Sequence, residues 1–383
     1  MTRTKAQAVQ KVAIAGSGVA SLGAAISLAE AGIEVDVFEK KHELTALGSG
    51  ITLQGNSLRA FDQLGVWSRV REKGFAFDGL NLRAPGPGAP IIAELPDVKT
   101  GGPDYPSCLG MYRPDLATIL IERAVEVGAR IHFDAELTAF EQDDAGVDVY
   151  IHGELRGRYD LLIGADGLHS KVRELLGINT GPQPTGMGIW RAFVERAQGV
   201  ERSELYYGGP VYIAGYTPTG ENSMYAILVE QAQDRSELSE AEATEIMINQ
   251  SAAYDGPWNS IRTSLAAGNA RVNYTHFTSH IVEEPWNRNR VVIIGDAAHS
   301  CPPTIAQGAA QALEDALVLS ELLTHRSVLD QQLWDDFHAR RLPRARAVVE
   351  ASVQLGQWQI DGNTEADPGA LINGVAQKMA EPA

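Results

Sequence analysis

The sequence predicts an α/β protein with a second, antiparallel sheet inserted into it and helices at its carboxy end. Three observations predict this. A short apolar run, KVAIA (Lys11–Ala15), ends at Gly16 and passes into a helically periodic stretch closed by Gly32, after which IEVDVFE forms a second run ending at Glu39. Two later stretches, Tyr159–Arg173 and the one opening at Asn289, again run from an apolar strand into glycine and aspartate. Between Gly181 and Val282 the pattern turns to strands, in GMGIWRAFVER, SELYYGGPVYIAGYTP and NSMYAILVE.

Composition bounds the function classes. A chain of 383 residues can bury two or three lobes, and its 44% apolar and 21% charged residues are those of an ordinary globular protein. No apolar run reaches the ~18 to 20 residues that a membrane helix needs. The first ten residues, MTRTKAQAVQ, lack the apolar core of a secretory signal and are expected to form a frayed tail. The two cysteines, Cys108 and Cys301, form no C-x-x-C pair, which predicts a reduced, cytoplasmic protein without a metal site. A net charge of −17 argues against nucleic acid or an anionic membrane as partner. It also requires that any anionic ligand be held by local N–H groups and a few placed arginines.

The first unit, strand, tight turn, helix, strand, is the context of a dinucleotide cradle. Gly16 permits the sharp turn, Gly18 lets a pyrophosphate approach the backbone, and the helix N-terminus supplies unpaired N–H groups. Glu39, twenty-three residues after Gly16, is placed to accept hydrogen bonds from a ribose without a 2′-phosphate, so FAD or NAD fits better than NADP. The third glycine of G-x-G-x-x-G is replaced by Ser21, a packing substitution that leaves phosphate contact intact. Ser21 and Lys40 complete the candidate cofactor-binding set of this unit.

Downstream, YDLLIGADGLHSKVR carries Asp166-Gly167. The stretch NRVVIIGDAAHSCPPTIAQGAAQALEDALVLSELL carries Gly295-Asp296, a loop with Pro302 and Pro303, and Gly308 opening an amphipathic helix. Together the three stretches resemble, over about residues 11–345, the FAD-dependent aromatic hydroxylases, single-component flavin monooxygenases with the para-hydroxybenzoate hydroxylase fold. The resemblance implies a Rossmann-like FAD-binding domain in which Asp296 holds the ribityl chain and Arg113, beside Pro114, reaches FAD. Pro302, Pro303 and Gly308 are implied at the reactive ring, with the positive helix end at Gly308 facing its pyrimidine side. Asp166 and Gly167 are implied to help hold FAD and to serve NAD(P)H, which docks transiently. His299 reads better as hydrogen-bonded scaffold than as a general base, and Cys301 as an unreactive thiol near the ring.

The strand-rich segment is expected to hold the substrate. Trp190, Arg191, Tyr207, Tyr212 and Tyr225 are its aromatic and cationic candidates, with Tyr206 beside them, and strand alternation lets at most one of Trp190 and Arg191 face the flavin. The expected division is an FAD-binding domain of residues 1–73, 107–180 and 283–345, a substrate-binding sheet domain of 74–106 and 181–282, and a helical segment and tail of 346–383. The function implied is hydroxylation of a small aromatic, a phenol or hydroxylated N-heterocycle, by NAD(P)H and dioxygen through a flavin C4a-hydroperoxide, in a monomer or homodimer. An oxygenase for a larger substrate (drug-inactivating or epoxidising) and a flavoprotein that binds ligand without turnover are the alternatives.

Overall fold

The structure, a computed structural model, describes residues 7–43 and 50–383. The amino-terminal tail falls in part on residues 1–6, outside the described residues. The residues just after it are held: Ala8 N–H donates to Leu323 O (3.1 Å) and Gln10 N–H to the Asp160 carboxylate (2.7 Å). Fraying therefore does not extend through residue 10, because these N–H groups find acceptors at the start of the central strands and on a helix.

Strand Lys11–Ala15 lies at the centre of a six-stranded sheet. In order its members are Asn287–Arg288, Val291–Ile293, Leu161–Gly164, Lys11–Ala15, Glu34–Phe38 and Arg130–His132, all parallel except the first. Each strand of the central run is continuous and apolar, as a sheet buried on both faces requires. Helix Val19–Glu30 packs on helix Gly308–His325 and helix Arg113–Glu126, and all three contribute to the main core. The contact of the first two helices is close because the positions facing it are small: a Cβ at Gly23 would lie 3.3 Å from Ala316 and Leu313. A three-stranded meander, Leu137–Gln142, Val147–Ile151 and Glu154–Tyr159, completes this half.

An eight-stranded sheet forms the second half. Its order is His299–Ser300, Val272–Ile281, Gln183–Glu195, Ser223–Gln231, Ile213–Gly220, Ser203–Tyr207, Leu80–Arg83 and Ile91–Leu95. One face is covered by helices Glu240–Ser251 and Pro257–Ala266 over a core of Trp190, Tyr206, Tyr216, Tyr254 and Trp258. Strands Leu80–Arg83 and Ile91–Leu95 join this sheet from the expected inserted segment. The strand His299–Ser300 joins it from the segment assigned to the other domain, which links the two halves directly. The expected boundary at 345/346 does not exist as a break. A single helix, Gln331–Ile360, runs through it with Pro343 inside, followed by helix Pro368–Ala380. Among the described residues no helix is long and apolar enough to cross a membrane.

Asp36 shows how tightly the parallel sheet's edge is held. Its carboxylate, almost fully buried, accepts hydrogen bonds from Arg130 (2.8 and 2.9 Å) and Tyr159 (3.1 Å) and pairs with His132 (2.8 Å). Burial alone would raise its pKa, but Arg130, His132 and Tyr159 outweigh that and hold it far below the usual carboxylate range. A depressed folded-state pKa confers stability that is full above the unfolded value, ~3.9, and is lost as pH falls below it. Asp36→Asn is therefore expected to lower stability by about 2 kcal/mol at pH 7. The gap in urea midpoint between wild type and variant should shrink towards pH 3, and a pH-independent gap would refute the assignment.

Candidate active site

The two sheets meet at a cavity of about 610 Å³, a size that suits a large organic ligand. Its first end is the turn after Lys11–Ala15. Gly18 is the N-cap of helix Val19–Glu30, no side chain caps that helix, and no acidic residue lies in its first turn. A Cβ built on Gly18 would meet nothing within 4 Å, so the first N–H groups of this helix, from Gly18 onward, stand open to the cavity. Glu39 also lines this end. One oxygen of its carboxylate accepts from Ser17 N–H (2.9 Å) and Ser17 Oγ (2.7 Å), and the other from Lys41 N–H (3.0 Å).

The middle of the cavity is built by the turn after Val291–Ile293 and by the proline loop. Asp296 projects into the cavity and accepts no hydrogen bond from another described residue. Its depth in the protein raises its pKa, an effect opposed by His299 and Arg113. Pro302, Pro303 and Gly308 line the same wall, and Gly308 opens its helix without a side-chain cap. Arg113 lies opposite, and among the described residues its side chain makes one hydrogen bond, a long one to Gly50 O (3.4 Å). His299 is almost fully buried, with Nε2 2.7 Å from Asp315 Oδ2, and Asp315 also takes Gly295 N–H (2.8 Å) and Arg341 (2.7 Å). The ring is held as scaffold. Cys301 lines the cavity with its thiol pushed up to about 12, chiefly by desolvation.

The far end is the open face of the eight-stranded sheet. Arg191, Tyr225 and Ile227 face inward with Ile189 and Phe277, while His276, at the rim, turns its ring to Gln233 O (2.8 Å). Arg191 donates to Thr275 Oγ1 (2.6 Å) and has no carboxylate partner among the described residues. Desolvation, and then the neighbouring Arg113, lower its pKa to about 10, with Tyr225 opposing, so it remains protonated at neutral pH. Tyr225 is fixed by Thr52 (2.7 Å) and by contact with Gly50.

Several expected site residues stand elsewhere. Gly16 (φ +94°) does not line the cavity; a Cβ there would lie 2.5 Å from Ala165 O, so it serves the crossing of two strands. Ser21 is fully buried, its Oγ donates to Gly16 O (2.5 Å) and it does not line the cavity, as a packing and turn-fixing residue would be placed. Lys40 points to solvent, while Lys41 lines the cavity. Asp166 accepts from Ser170 Oγ (2.5 Å), Lys171 N–H (2.7 Å) and Val172 N–H (3.1 Å), so its carboxylate is spent on the short helix Lys171–Leu175. Gly167 does line the cavity. Gly295 is required by contact with Ala20, 2.9 Å from its would-be Cβ. Trp190 belongs to the second core, where its Nε1–H donates to Glu230 (3.0 Å). Tyr207 and Tyr212 lie outside the cavity wall, Tyr207 exposed and Tyr212 against a small satellite core.

Other wall residues went unnoticed in the sequence. Ile189 and Ile227 were signalled by alternation, since they share a face with Arg191: position 189 is two away in the strand, and Ile227 pairs with Arg191 across it. Ser17, Thr52 and His276 carried no such signal. Arg173, noted only as following the second motif, ties that motif to the third. Its guanidinium donates to Leu168 O (2.9 Å) and Ala297 O (2.9 Å).

Comparison with known proteins places the chain. Residues 9–352 match the family described as FAD binding domain. The aurachin C monooxygenase/isomerase of Stigmatella aurantiaca is 28% identical over 354 residues, which are 91% of this chain and 90% of the relative. The 3-hydroxybenzoate 6-hydroxylase of Polaromonas naphthalenivorans (strain CJ2) is 25% identical, covering 90% of this chain and 87% of that one. Among solved structures, the tetrameric form of 2-methyl-3-hydroxypyridine-5-carboxylic acid oxygenase superposes with a TM-score of 0.78 at 25% identity, over 97% of this chain and 96% of that one.

Gly18 and Ser21 can be separated experimentally. Gly18→Val has room in the protein but fills the cavity end, so it should leave thermal stability within about 1 kcal/mol while lowering FAD affinity at least tenfold. Ser21→Gly should cost about 1 kcal/mol of stability and leave FAD affinity unchanged within threefold. Titration of apoprotein with FAD, alongside urea unfolding, checks both, and the reverse pattern would reassign the two positions.

Proposed function

The chain belongs to the FAD binding domain family and is an FAD-dependent monooxygenase of the aromatic-hydroxylase kind; from that premise we propose that it uses NAD(P)H and dioxygen to hydroxylate a small phenol or hydroxylated N-heterocycle bearing an anionic group. The observation that carries the substrate reading is Arg191, a protonated arginine without a carboxylate partner among the described residues, on a sheet face it shares with Ile189, Ile227, Phe277 and Tyr225 at the far end of the cavity. In a chain of net charge −17, such a cation has little purpose as a surface charge.

The residues present fit FAD. The open helix end at Gly18 suits a pyrophosphate, Glu39 lies where it can meet the adenosine ribose, and Asp296, without a hydrogen-bond partner among the described residues, is free to accept a hydroxyl of the ribityl chain. Arg113 and the uncapped helix end at Gly308 supply positive potential around the ring. When bound, the flavin takes electrons from the nicotinamide and activates dioxygen for transfer of one oxygen atom. The protein's share is to hold the aromatic ring between the open sheet face and the proline loop, with Arg191 as anchor, and to exclude water by the apolar wall of Ile189, Ile227 and Phe277. Free thiols at Cys108 and Cys301 accord with the cytoplasmic, reduced setting proposed for a monomer or homodimer.

Two outcomes are expected. Asp296→Ala should weaken FAD binding more than Glu39→Ala, by roughly 1.5 to 3 kcal/mol, because the Glu39 carboxylate is already engaged by Ser17 and Lys41 while Asp296 is uncommitted. Equal losses in fluorescence titration would contradict that ordering. In a screen of small aromatics, carboxylated phenols and hydroxypyridines should stimulate NAD(P)H oxidation and yield a product heavier by one oxygen, and Arg191→Met should raise their KM at least tenfold. If neutral phenols respond equally well, and Arg191→Met leaves KM unchanged, the anionic-substrate reading fails.

A further inference from the structure

Asn56 has no place in the site described above, yet it is 2% exposed and makes more polar contacts than its position in a surface-packed helix demands. It is the second residue of helix Gly55–Gln63. Its Nδ2 donates to Gln307 Oε1 (3.0 Å) and Glu314 Oε1 (3.1 Å), and its Oδ1 accepts from Gln307 Nε2 (3.2 Å) and Thr100 Oγ1 (3.3 Å). Asn56 and Gln307 thus form a reciprocal amide pair, buried on both sides.

Gln307 is the N-cap of helix Gly308–His325 and follows Ala306, which sits in the left-handed region at φ +52°. Its side chain does not cap its own helix; it is drawn away into the pair with Asn56. The first helical hydrogen bond is Gln311 N–H to Gln307 O (3.0 Å), so the N–H groups of Gly308, Ala309 and Ala310 have no acceptor within the helix. Gly308 and Ala309 line the cavity. The Gln307 side chain is held away from those N–H groups, and their direction is set by where Gln307 is pinned.

The pin is rigid because its other end is ionic. Glu314, one of Asn56's acceptors, is gripped by Arg341 (2.7 Å) and Arg344 (2.9 Å), all three nearly or fully buried. Arg341 also binds Asp315, which holds His299 and the Gly295 N–H at the turn bearing Asp296.

We propose that Asn56 is a positioning residue which, through its amide pair with Gln307, aims the N-terminus of helix Gly308–His325 at the bound flavin and so raises the flavin's reduction potential. The physical basis is that the reduced flavin is the more negatively charged form, and a positive helix end stabilises it more than the oxidised form. The proposal rests on the flavin reading of this cavity.

The experiment measures the midpoint potential of the bound flavin by spectroelectrochemistry, together with FAD affinity and thermal stability. Asn56→Leu should lower the ratio of affinities for reduced and oxidised flavin about tenfold, which is about 30 mV for two electrons, and change the affinity for oxidised FAD less than threefold. The double exchange Asn56→Gln with Gln307→Asn, which keeps a reciprocal pair, should return the potential to within threefold of wild type in the same ratio. If Asn56→Leu does not fold, Gln307→Ala, which leaves Asn56 with Glu314 and Thr100, carries the same expectation. Variants that lose thermal stability but hold flavin at the wild-type potential overturn the proposal, as does a double exchange as shifted as the single variant. Wild-type protein that binds no flavin defeats the underlying reading as well, and the two failures are thereby told apart.

Discussion

Everything at the cavity's middle depends on one buried cation. Arg341 is wholly inside the protein, and its guanidinium meets Asp315 and Glu314 at 2.7 Å each and Gln311 Oε1 at 2.8 Å. A lone charge there would be prohibitive, and the desolvation cost of an ion pair is recovered only where geometry is good and remaining donors are satisfied. Here Arg341 and Arg344 face Glu314 and Asp315, two cations against two anions, and the neighbouring donors and acceptors are taken up by Asn56, Gln311, His299 and the Lys378 carbonyl. Breaking such a cluster by removing one member typically costs about 3 to 5 kcal/mol. Its position matters more than its energy, because it joins the long carboxy-terminal helix to the two turns that carry Asp296 and Gly308.

The cavity's electrostatics follow from the same need for local control. The chain as a whole repels anions, so anionic groups must be met by oriented N–H groups and by Arg113 and Arg191. The helices opening at Val19, Arg113 and Gly308 meet the cavity without a side-chain cap, and those opening elsewhere at Gly55, Trp67 and Pro257 also lack one. Leaving N–H groups unsatisfied is disfavoured in a packed protein, and a cavity that can admit water or a polar ligand is where it is tolerated. The eight-stranded sheet, antiparallel except where Ser203–Tyr207 meets Leu80–Arg83, contributes the complementary element, a largely apolar face bearing Arg191, and the strand His299–Ser300 brings the proline loop to its edge.

Much of this was legible from residue order alone. Strand, glycine turn and helix are local patterns, and the parallel sheet, the inserted antiparallel sheet and the helix opening at Gly308 all lie where those patterns placed them. Gly18, Glu39 and Asp296 line one cavity because each follows the carboxy end of a parallel strand, where such sheets bind ligands, and the loop beyond Asp296 brings Pro302, Pro303 and Gly308 to it. Alternation likewise limited Trp190 and Arg191 to opposite faces.

What residue order could not decide was how each polar side chain is used. Asp166 and Asp296 follow strands in the same way, yet one is consumed by a helix N-terminus and the other is left for the cavity, because only the first is followed at once by a helix whose N–H groups it can reach. Ser21 turns inward to the Gly16 carbonyl, and Tyr212 packs against a satellite core beside Ile360 of the long helix instead of the cavity. The alliance of Asn56, Gln307, Glu314 and Arg341 spans residues 56 to 341 and carries no local signature at all. Local sequence determines backbone conformation, since its energetics are short-range. The partner of a buried charge or amide is set by which distant segments packing brings within about 3 Å, and only the tertiary structure decides that.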